Sequence, residues 1–260
     1  MIESEAALIT YLETEFPRAS AESWDFVGYN LKARQGNGRR GTLKILTCLD
    51  VNSAVINQAL AEQISLIICF HPFKFGLNWA AIYKKEPHKS AWVQALRAAR
   101  ISVYAIHTNF DKHPQGTKYW LAQKLQWNQQ ILQHYDYAYL IAYSGQAQTL
   151  IAELKEKLQL NTVWTNLLAE EQITHLYLAP GAGNITAFLQ NHPSPNAVLI
   201  TSDLKWHEQQ MLHDLGYRFI MIVHKSEDVF NWGITTFLQA KLAPQIIISN
   251  YYQRDFIKGY

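Results

Sequence analysis

The chain is short of the features that mark disulfide-stabilised, secreted or membrane proteins. Its 260 residues include only two cysteines, Cys48 and Cys69, and each lies inside an apolar run that predicts a buried strand. No apolar run approaches the roughly 20 residues that a membrane span requires. Residues 1–17 are acidic and lack the basic start and apolar centre of a leader peptide. We therefore expect a soluble, unprocessed protein in the reducing cytoplasm.

An excess of charge is also lacking. Lys and Arg total 23 and Asp and Glu total 21, which gives a formal net charge of +2 that is scattered along the chain. This distribution does not indicate nucleic acid or an anionic membrane as a partner. Apolar side chains make up 48% of the sequence, which is enough to bury a substantial core in one large domain or two small ones.

Short β-branched apolar runs alternate with amphipathic stretches, a pattern that predicts an α/β fold. A glutamine-rich zone at 123–133 predicts a boundary between two α/β lobes, at 1–128 and 129–260. We expect strands at 43–49, 66–70, 102–106, 174–178, 197–201, 219–223 and 245–249, and helices at 90–99, 147–158 and 227–240.

Acidic or imidazole side chains follow several of these strands. His71 and His107 each come directly after a strand of the first half. In the second half, strands are followed by Asp203 with His207 and by His224 with Glu227. Each histidine alone is better explained as structural or exposed, but ligands in α/β sheets bind at the carboxyl ends of strands. Imidazole and carboxylate donors together suit Zn, Mn, Fe or Ni.

Other chemistry is weakly supported. The glycines at 181 and 183 could bind a phosphate, but they lack the spacing of a dinucleotide site, so a tight turn is the favoured interpretation. No Gly-x-Ser-x-Gly elbow is present, and the two cysteines fit packing better than nucleophilic catalysis.

Six motifs occur in an order that resembles a known family: Trp24-Asp25-Phe26-Val27-Gly28, Leu49-Asp50-Val51, Phe70-His71-Pro72, His107-Thr108-Asn109-Phe110-Asp111, Thr201-Ser202-Asp203-Leu204-Lys205-Trp206-His207 and His224-Lys225-Ser226-Glu227. The resemblance is to the Nif-three-like dinuclear-metal-centre family and covers nearly the whole chain. Bacterial members are known as homologues of the type two form of GTP cyclohydrolase I. The length is similar to the minimal form, which has no domain inserted between the lobes.

The resemblance implies a metal site in a cleft between two similar lobes. By position, the implied ligands are His71, Asp111, His224 and Glu227, the last bridging two metals. Phe70 departs from the family pattern because it stands where a first imidazole is expected, and a phenyl ring donates no lone pair. A second departure is that two residues, rather than three, separate the late His and Glu. We therefore expect one or two divalent transition metals per subunit.

Three neighbouring residues have open roles. His107 either hydrogen-bonds Asp111 and orients it or serves as a ligand itself, in the role left vacant at Phe70, and the first role is favoured. His107 and His207 are the candidates for proton transfer. Asp203 either lines the cleft or forms a salt bridge with Lys205.

Two functions fit this sequence. The first is a metal-dependent hydrolase, similar to the type two GTP cyclohydrolase, acting on a nucleotide-like or other small polar substrate. The alternative is a non-catalytic binding or scaffold protein with a degenerate metal site, which Phe70 favours. The resemblance also implies a ring-shaped homo-oligomer, a hexamer.

Overall fold

The computed structural model describes residues 1–33, 42–183, 185–191 and 196–253. These residues form a mixed α/β structure with two sheets flanked by helices, which confirms the predicted fold class. Two compact units are present: Met1–His113 with Phe230–Gln253, and Pro114–Val229. Among the described residues, no helix combines the length and the apolar character that crossing a membrane requires.

The first unit contains a five-stranded sheet in the order β1-β4-β3-β2-β11. All neighbouring strands are parallel except β1, which runs antiparallel to β4. Its elements are α1 (Glu5–Glu15), β1 (Gly28–Leu31), β2 (Lys44–Cys48), α2 (Ser53–Ala61), β3 (Leu66–Cys69), α3 (Trp79–Lys85), α4 (Lys89–Ala98), β4 (Ser102–Ala105), α5 (Thr108–Asp111), α10 (Val229–Gln239, whose first residue belongs to the second unit) and β11 (Ile247–Tyr251).

The second unit contains a six-stranded sheet in the order β5-β6-β8-β9-β10-β7. Strands β8, β9 and β10 are parallel, and β5, β6 and β7 add antiparallel edges. Its elements are α6 (Thr117–Leu125), β5 (Ile131–His134), β6 (Tyr139–Gln146), α7 (Ala147–Leu158), β7 (Trp164–Thr165), β8 (Gln172–Leu178), α8 (Ile185–Asn191), β9 (Ala197–Thr201), α9 (Trp206–Asp214) and β10 (Arg218–Met221).

Each unit has its own apolar core. In the first unit, helices α2 and α4 bury Val55, Ile56, Val93 and Leu96 together with side chains of the central strands. The side chain of Asn52 begins α2 by accepting hydrogen bonds from the backbone N–H groups of two residues in the first turn. In the second unit, Phe188, Leu199, Leu212 and Phe219 form the centre of a separate cluster.

The compact units differ from the sequence-based division at residues 128 and 129. Helix α6 belongs with the second unit, where Lys157 of α7 donates a hydrogen bond to the carbonyl of Leu125 at its end. The end of the described chain returns to the first unit, because β11 pairs in parallel with β2. The lobes 1–128 and 129–260 therefore remain a prediction from the sequence. A local sequence pattern carries no information on contacts between distant residues, such as the pairing of β11 with β2.

Candidate metal centre

In the first unit, polar side chains follow three neighbouring parallel strands. Asp50, His71 and His107 come after β2, β3 and β4, which are adjacent in the sheet. The ladder continues beyond the strand ends, because the N–H of His71 donates to the carbonyl of Leu49 at 3.0 Å. This edge therefore collects one carboxylate and two imidazoles by the geometry of the sheet alone.

His71 is oriented by Asp50. Its Nδ1 lies 2.9 Å from Oδ1 of Asp50, and a quarter of the His71 side chain is exposed. A neutral imidazole that donates from Nδ1 to a carboxylate has its lone pair on Nε2. His71 is thus arranged to offer Nε2 to a ligand.

His107 has a second carboxylate partner, Asp25. Nδ1 of His107 lies 3.0 Å from Oδ2 of Asp25, and the Asp25 side chain is fully buried. The same oxygen accepts hydrogen bonds from the N–H and hydroxyl of Thr108. Burial opposes ionisation of Asp25, but the hydrogen bonds from His107 and Thr108 outweigh it and hold the pKa of this carboxyl below its usual range. From the sequence, Asp25 belonged to one of the six motifs but had no predicted role.

Asp111 lies in the segment that follows His107. The one-turn helix α5 starts after His107, and the N–H of Asp111 donates to the His107 carbonyl at 3.1 Å. The side chain of Asn109 accepts a hydrogen bond from the N–H of His107, which fixes the start of the turn. Asp111 is half-buried, so its carboxylate is within reach of both protein and solvent.

Phe70 is a core residue of the first unit. Its ring is fully buried, with ring centroids 5.2 Å from Phe230, 6.4 Å from Phe110 and 5.0 Å from His107. The position where the family resemblance implies an imidazole therefore contributes apolar packing rather than a metal donor.

The second unit repeats the arrangement of the first. Asp203 and His224 follow the adjacent parallel strands β9 and β10, and the N–H of Ile222 donates to the carbonyl of Thr201 at 2.8 Å. Nδ1 of His224 is within hydrogen-bond distance of Oδ2 of Asp203. A salt bridge between Asp203 and Lys205 was one of two roles predicted from the sequence for Asp203. The structure pairs Asp203 with the imidazole of His224.

Glu227 faces the other nitrogen of His224. The two residues lie three apart on a short 3-10 helix, His224–Asp228, and Nε2 of His224 is 2.8 Å from Oε2 of Glu227. The Glu227 side chain is only 6% exposed. Burial disfavours the imidazolium, but the hydrogen bonds and charges of Asp203 and Glu227 outweigh it and raise the pKa of His224 to about 11. The imidazolium form of His224 is therefore favoured beside Glu227.

Gly181 lies next to both acidic residues that pair with His224, Asp203 and Glu227. Its carbonyl accepts hydrogen bonds from the N–H groups of Ser202 and Asp203 at 2.9 and 3.1 Å. Its φ is +71°, and a Cβ built on it would overlap with Oε1 of Glu227. The expected tight turn is present, and only glycine allows Glu227 to approach so closely. Nothing in the spacing of the sequence indicated this contact.

His207 differs from the other site histidines. It lies in the first turn of α9 and is exposed. The structure therefore shows a carboxylate at Nδ1 of His71, His107 and His224, while His207 lies on a helix surface.

The donor set of each unit fits a transition metal. The first unit offers Nε2 of His71 and the carboxylate of Asp111. In the second unit Nε2 of His224 pairs with the carboxylate of Glu227, so this imidazole must lose a proton before it can act as a donor. Nitrogen and oxygen donors of this kind bind Zn, Mn, Fe or Ni. A carboxylate at the second ring nitrogen is usual for metal-binding histidines, because it fixes the tautomer.

These features define a class of protein: two α/β units, each with a histidine and carboxylate pair at the carboxyl edge of its parallel strands. The chain belongs to the Duf34/NIF3 (NGG1p interacting factor 3) family, whose model matches residues 5–254. This match confirms the resemblance seen in the sequence.

Relatives of known sequence agree with this assignment. A protein of Mycoplasmopsis pulmonis named GTP cyclohydrolase 1 type 2 homolog is 29% identical over 95% of this chain and 98% of its own length. NIF3-like protein 1 of Drosophila melanogaster is 32% identical over 45% of this chain and 39% of its own length. A Staphylococcus epidermidis protein named GTP cyclohydrolase 1 type 2 homolog matches over 30% of its length.

Solved structures show the same fold. A hypothetical protein of Staphylococcus aureus has a TM-score of 0.82 at 21% identity, with 98% of both chains covered. A Bacillus cereus protein related to NIF3 has a TM-score of 0.81 at 16% identity over the whole of both chains. At these identities the likeness supports the fold, and activity must be argued from the residues of this chain.

Proposed function

We propose that this protein is a metal-dependent hydrolase that holds one or two divalent transition metals, Zn, Mn, Fe or Ni, through His71, Asp111, His224 and Glu227. One observation carries the proposal. Each unit independently positions a histidine with a carboxylate at Nδ1, and so directs Nε2 away from that carboxylate. A purely structural role for His71 and His224 does not account for this repetition.

The chemistry needs an activated water and a proton acceptor. A bound divalent transition metal lowers the pKa of a coordinated water toward about 7 and polarises the bond to be cleaved. Asp50 and Asp203 each hold one of the proposed ligand imidazoles through its Nδ1. His107 is the preferred proton-transfer group over His207, because the buried Asp25 carboxylate holds its Nδ1 and directs Nε2 away from that carboxylate, whereas His207 lies on a helix surface.

The substrate class proposed here is a nucleotide-like or other small polar molecule. Support comes from the names of relatives, which describe GTP cyclohydrolase 1 type 2 homologs. The imidazole and carboxylate groups of both units suit hydrolysis of a polar bond.

Phe70 sets the proposed number of metals. With its ring buried in an aromatic cluster, the first unit has no imidazole at this position. One strongly held ion per subunit is therefore proposed, bound by His71, Asp111 and Glu227, with a weaker second position at His224 and Glu227. Two protein ligands hold a transition metal poorly.

Activity is tested with metal-loaded full-length protein and GTP, with products separated by chromatography. We expect turnover in the wild type and a loss of about 100-fold or more in His107→Gln, which keeps a polar group but cannot shuttle the proton. His134→Gln, a change of an exposed histidine on β5, is the control and should retain activity. Equal activity in both variants would contradict the role of His107.

A second function is favoured by the buried Phe70: a non-catalytic binding or scaffold protein. Loss of metal on dialysis together with absence of turnover on GTP would favour this alternative over the hydrolase. In both cases we propose a cytoplasmic homohexamer, which fits exposed apolar side chains such as Leu132, Leu168 and Leu215. Light scattering that gives the mass of one 29.9 kDa subunit would contradict the assembly.

A further inference from the structure

A group of aromatic side chains lies on the surface of the first unit next to His107. We name Trp24, Phe26 and Phe75 the aromatic shelf. The ring centroids of Trp24 and Phe75 are 6.2 Å apart, and Phe26 supports Phe75 at 5.4 Å. Trp24 is 54% exposed and Phe75 is 52% exposed. About half of each of these two rings is therefore available to a ligand.

The position of Trp24 is fixed by the segment that carries His107. Trp24 lies in a turn in which the N–H of Asp25 donates to the carbonyl of Glu22 at 3.0 Å. The N–H of Glu22 donates to the hydroxyl of Thr108, and the Asp25 carboxylate accepts from the N–H and hydroxyl of the same threonine. Both ends of the turn are thus bound to Thr108. A ring presented in this way loses little conformational freedom when it binds a ligand.

The aromatic shelf is continuous with the histidines of the candidate site. The ring of Trp24 contacts that of His107 with centroids 6.0 Å apart and an interplanar angle of 72°. His107 in turn contacts His71 at 5.3 Å. A ligand on the shelf therefore lies one ring contact from the proposed proton-transfer group and two from a proposed metal ligand.

We propose that the aromatic shelf binds the planar heteroaromatic ring, a purine or pyrimidine base, of the substrate. The proposal rests on the proposed function, which supplies a nucleotide-like substrate. The half-exposed ring of Trp24 can stack on one base, with the ring of Phe75 beside it at an interplanar angle of 40°. Bases stack on aromatic side chains whatever the identity of the base. The polar His107 at the inner end of the shelf can hydrogen-bond the edge of a base, which favours a nucleobase over an aliphatic ligand or an apolar protein surface.

The test measures binding of guanosine and cytidine to the metal-free full-length protein by calorimetry and by quenching of tryptophan fluorescence. We expect saturable binding, weakened about tenfold or more in Trp24→Leu. Trp24→Phe should bind more tightly than Trp24→Leu, since it keeps a ring. Phe75→Leu should weaken binding several-fold. The control is Trp164→Leu, which removes a ring that is 50% exposed on β7 and should bind like the wild type.

Three outcomes would overturn the proposal. They are failure of the wild type to bind either nucleoside, equal binding by wild type and Trp24→Leu, and equal weakening in Trp164→Leu. A lower oligomer mass in Trp24→Leu with unchanged nucleoside binding would identify the shelf as a subunit contact instead. Elemental analysis of the same variants separates this proposal from the proposed function, because metal content should be the same in the wild type and Trp24→Leu.

Discussion

The carboxyl edges of the two sheets share one arrangement and differ in what surrounds it. In the first unit Asp50 follows β2 and binds His71 after β3, and in the second unit Asp203 follows β9 and binds His224 after β10. Parallel neighbouring strands bring such residues together whenever an acid ends one strand and a histidine ends the next. The sheet thus accounts for the pair, and the neighbouring residues determine its chemistry.

Those neighbours differ in charge. Around His71 and His107 the first unit places buried aromatic rings, above all Phe70. Around His224 the second unit places two carboxylates, which raise the pKa of this histidine to about 11. His224 thus lies between two carboxylates, whereas His71 and His107 each pair with one carboxylate, Asp50 and Asp25, beside aromatic rings.

The largest effect is expected from Gly181→Ala. The new methyl group would overlap with Oε1 of Glu227, so the carboxylate must move, and metal affinity should fall about 100-fold. Gly216→Ala is the matched control, because Gly216 also has a positive φ, of +77°, but a Cβ there meets nothing within 4 Å. Calorimetric titration with Zn²⁺ measures both. If the two variants lose affinity equally, backbone strain rather than Glu227 explains the loss.

The equivalence of the two pairs is tested by Asp50→Asn and Asp203→Asn. Each change removes the carboxylate that orients one imidazole through its Nδ1, so metal affinity should fall about tenfold. The same titration measures the effect. A loss in one variant only would show that the two sheet edges do not have equivalent roles.

Asp25→Asn tests the additional pair of the first unit. The substitution leaves His107 and Thr108 without their buried carboxylate partner, and we expect a loss of about 2 kcal/mol in the free energy of unfolding at pH 7. Because the folded-state pKa of Asp25 is lowered, its contribution is present above about pH 4 and is lost as pH falls through the folded value.

The wild type and Asp25→Asn should therefore converge in stability in acid, as measured by denaturant unfolding. Glu171→Gln, in the second unit, removes a less buried partner of Arg218 and should cost less than about 1 kcal/mol. A pH-independent gap between the wild type and Asp25→Asn would contradict the assigned pKa direction.

Phe70→His should have a small effect on stability and sharpen the difference between the units. An imidazole inside the aromatic cluster should cost about 1 kcal/mol in the metal-free protein. With metal present, it adds a donor and should raise the stoichiometry toward about two. Phe70→Leu, which keeps an apolar side chain without a donor, is the control. No gain in metal for Phe70→His over Phe70→Leu would show that this position does not face the site.

Local patterns in the sequence predicted much of the fold. The strand expected at 197–201 and the helix expected at 147–158 match β9 and α7 because apolar periodicity follows the secondary structure directly. The helix expected at 227–240 instead begins as the 3-10 helix His224–Asp228 and continues as α10, since both helix types carry similar side-chain spacing.

Contacts between residues far apart in the sequence could not be predicted from those local patterns. The bond between His107 and Asp25 joins residues 82 apart, and the contact of Gly181 with Glu227 depends on the register of β8, β9 and β10. The sequence was enough to predict His71, His224 and Glu227 as metal ligands and His107 as a candidate for proton transfer. It did not identify the residues that orient them, because a hydrogen-bond partner is selected by tertiary structure.

The central claim is that His71 and Glu227 hold a metal ion. Elemental analysis after dialysis should give about one metal per subunit in the wild type and almost none in His71→Ala or Glu227→Gln, since removal of one donor leaves too few protein ligands. Circular dichroism should show the variants folded. Full metal retention in His71→Ala, or two tightly held ions in the wild type, would contradict the account.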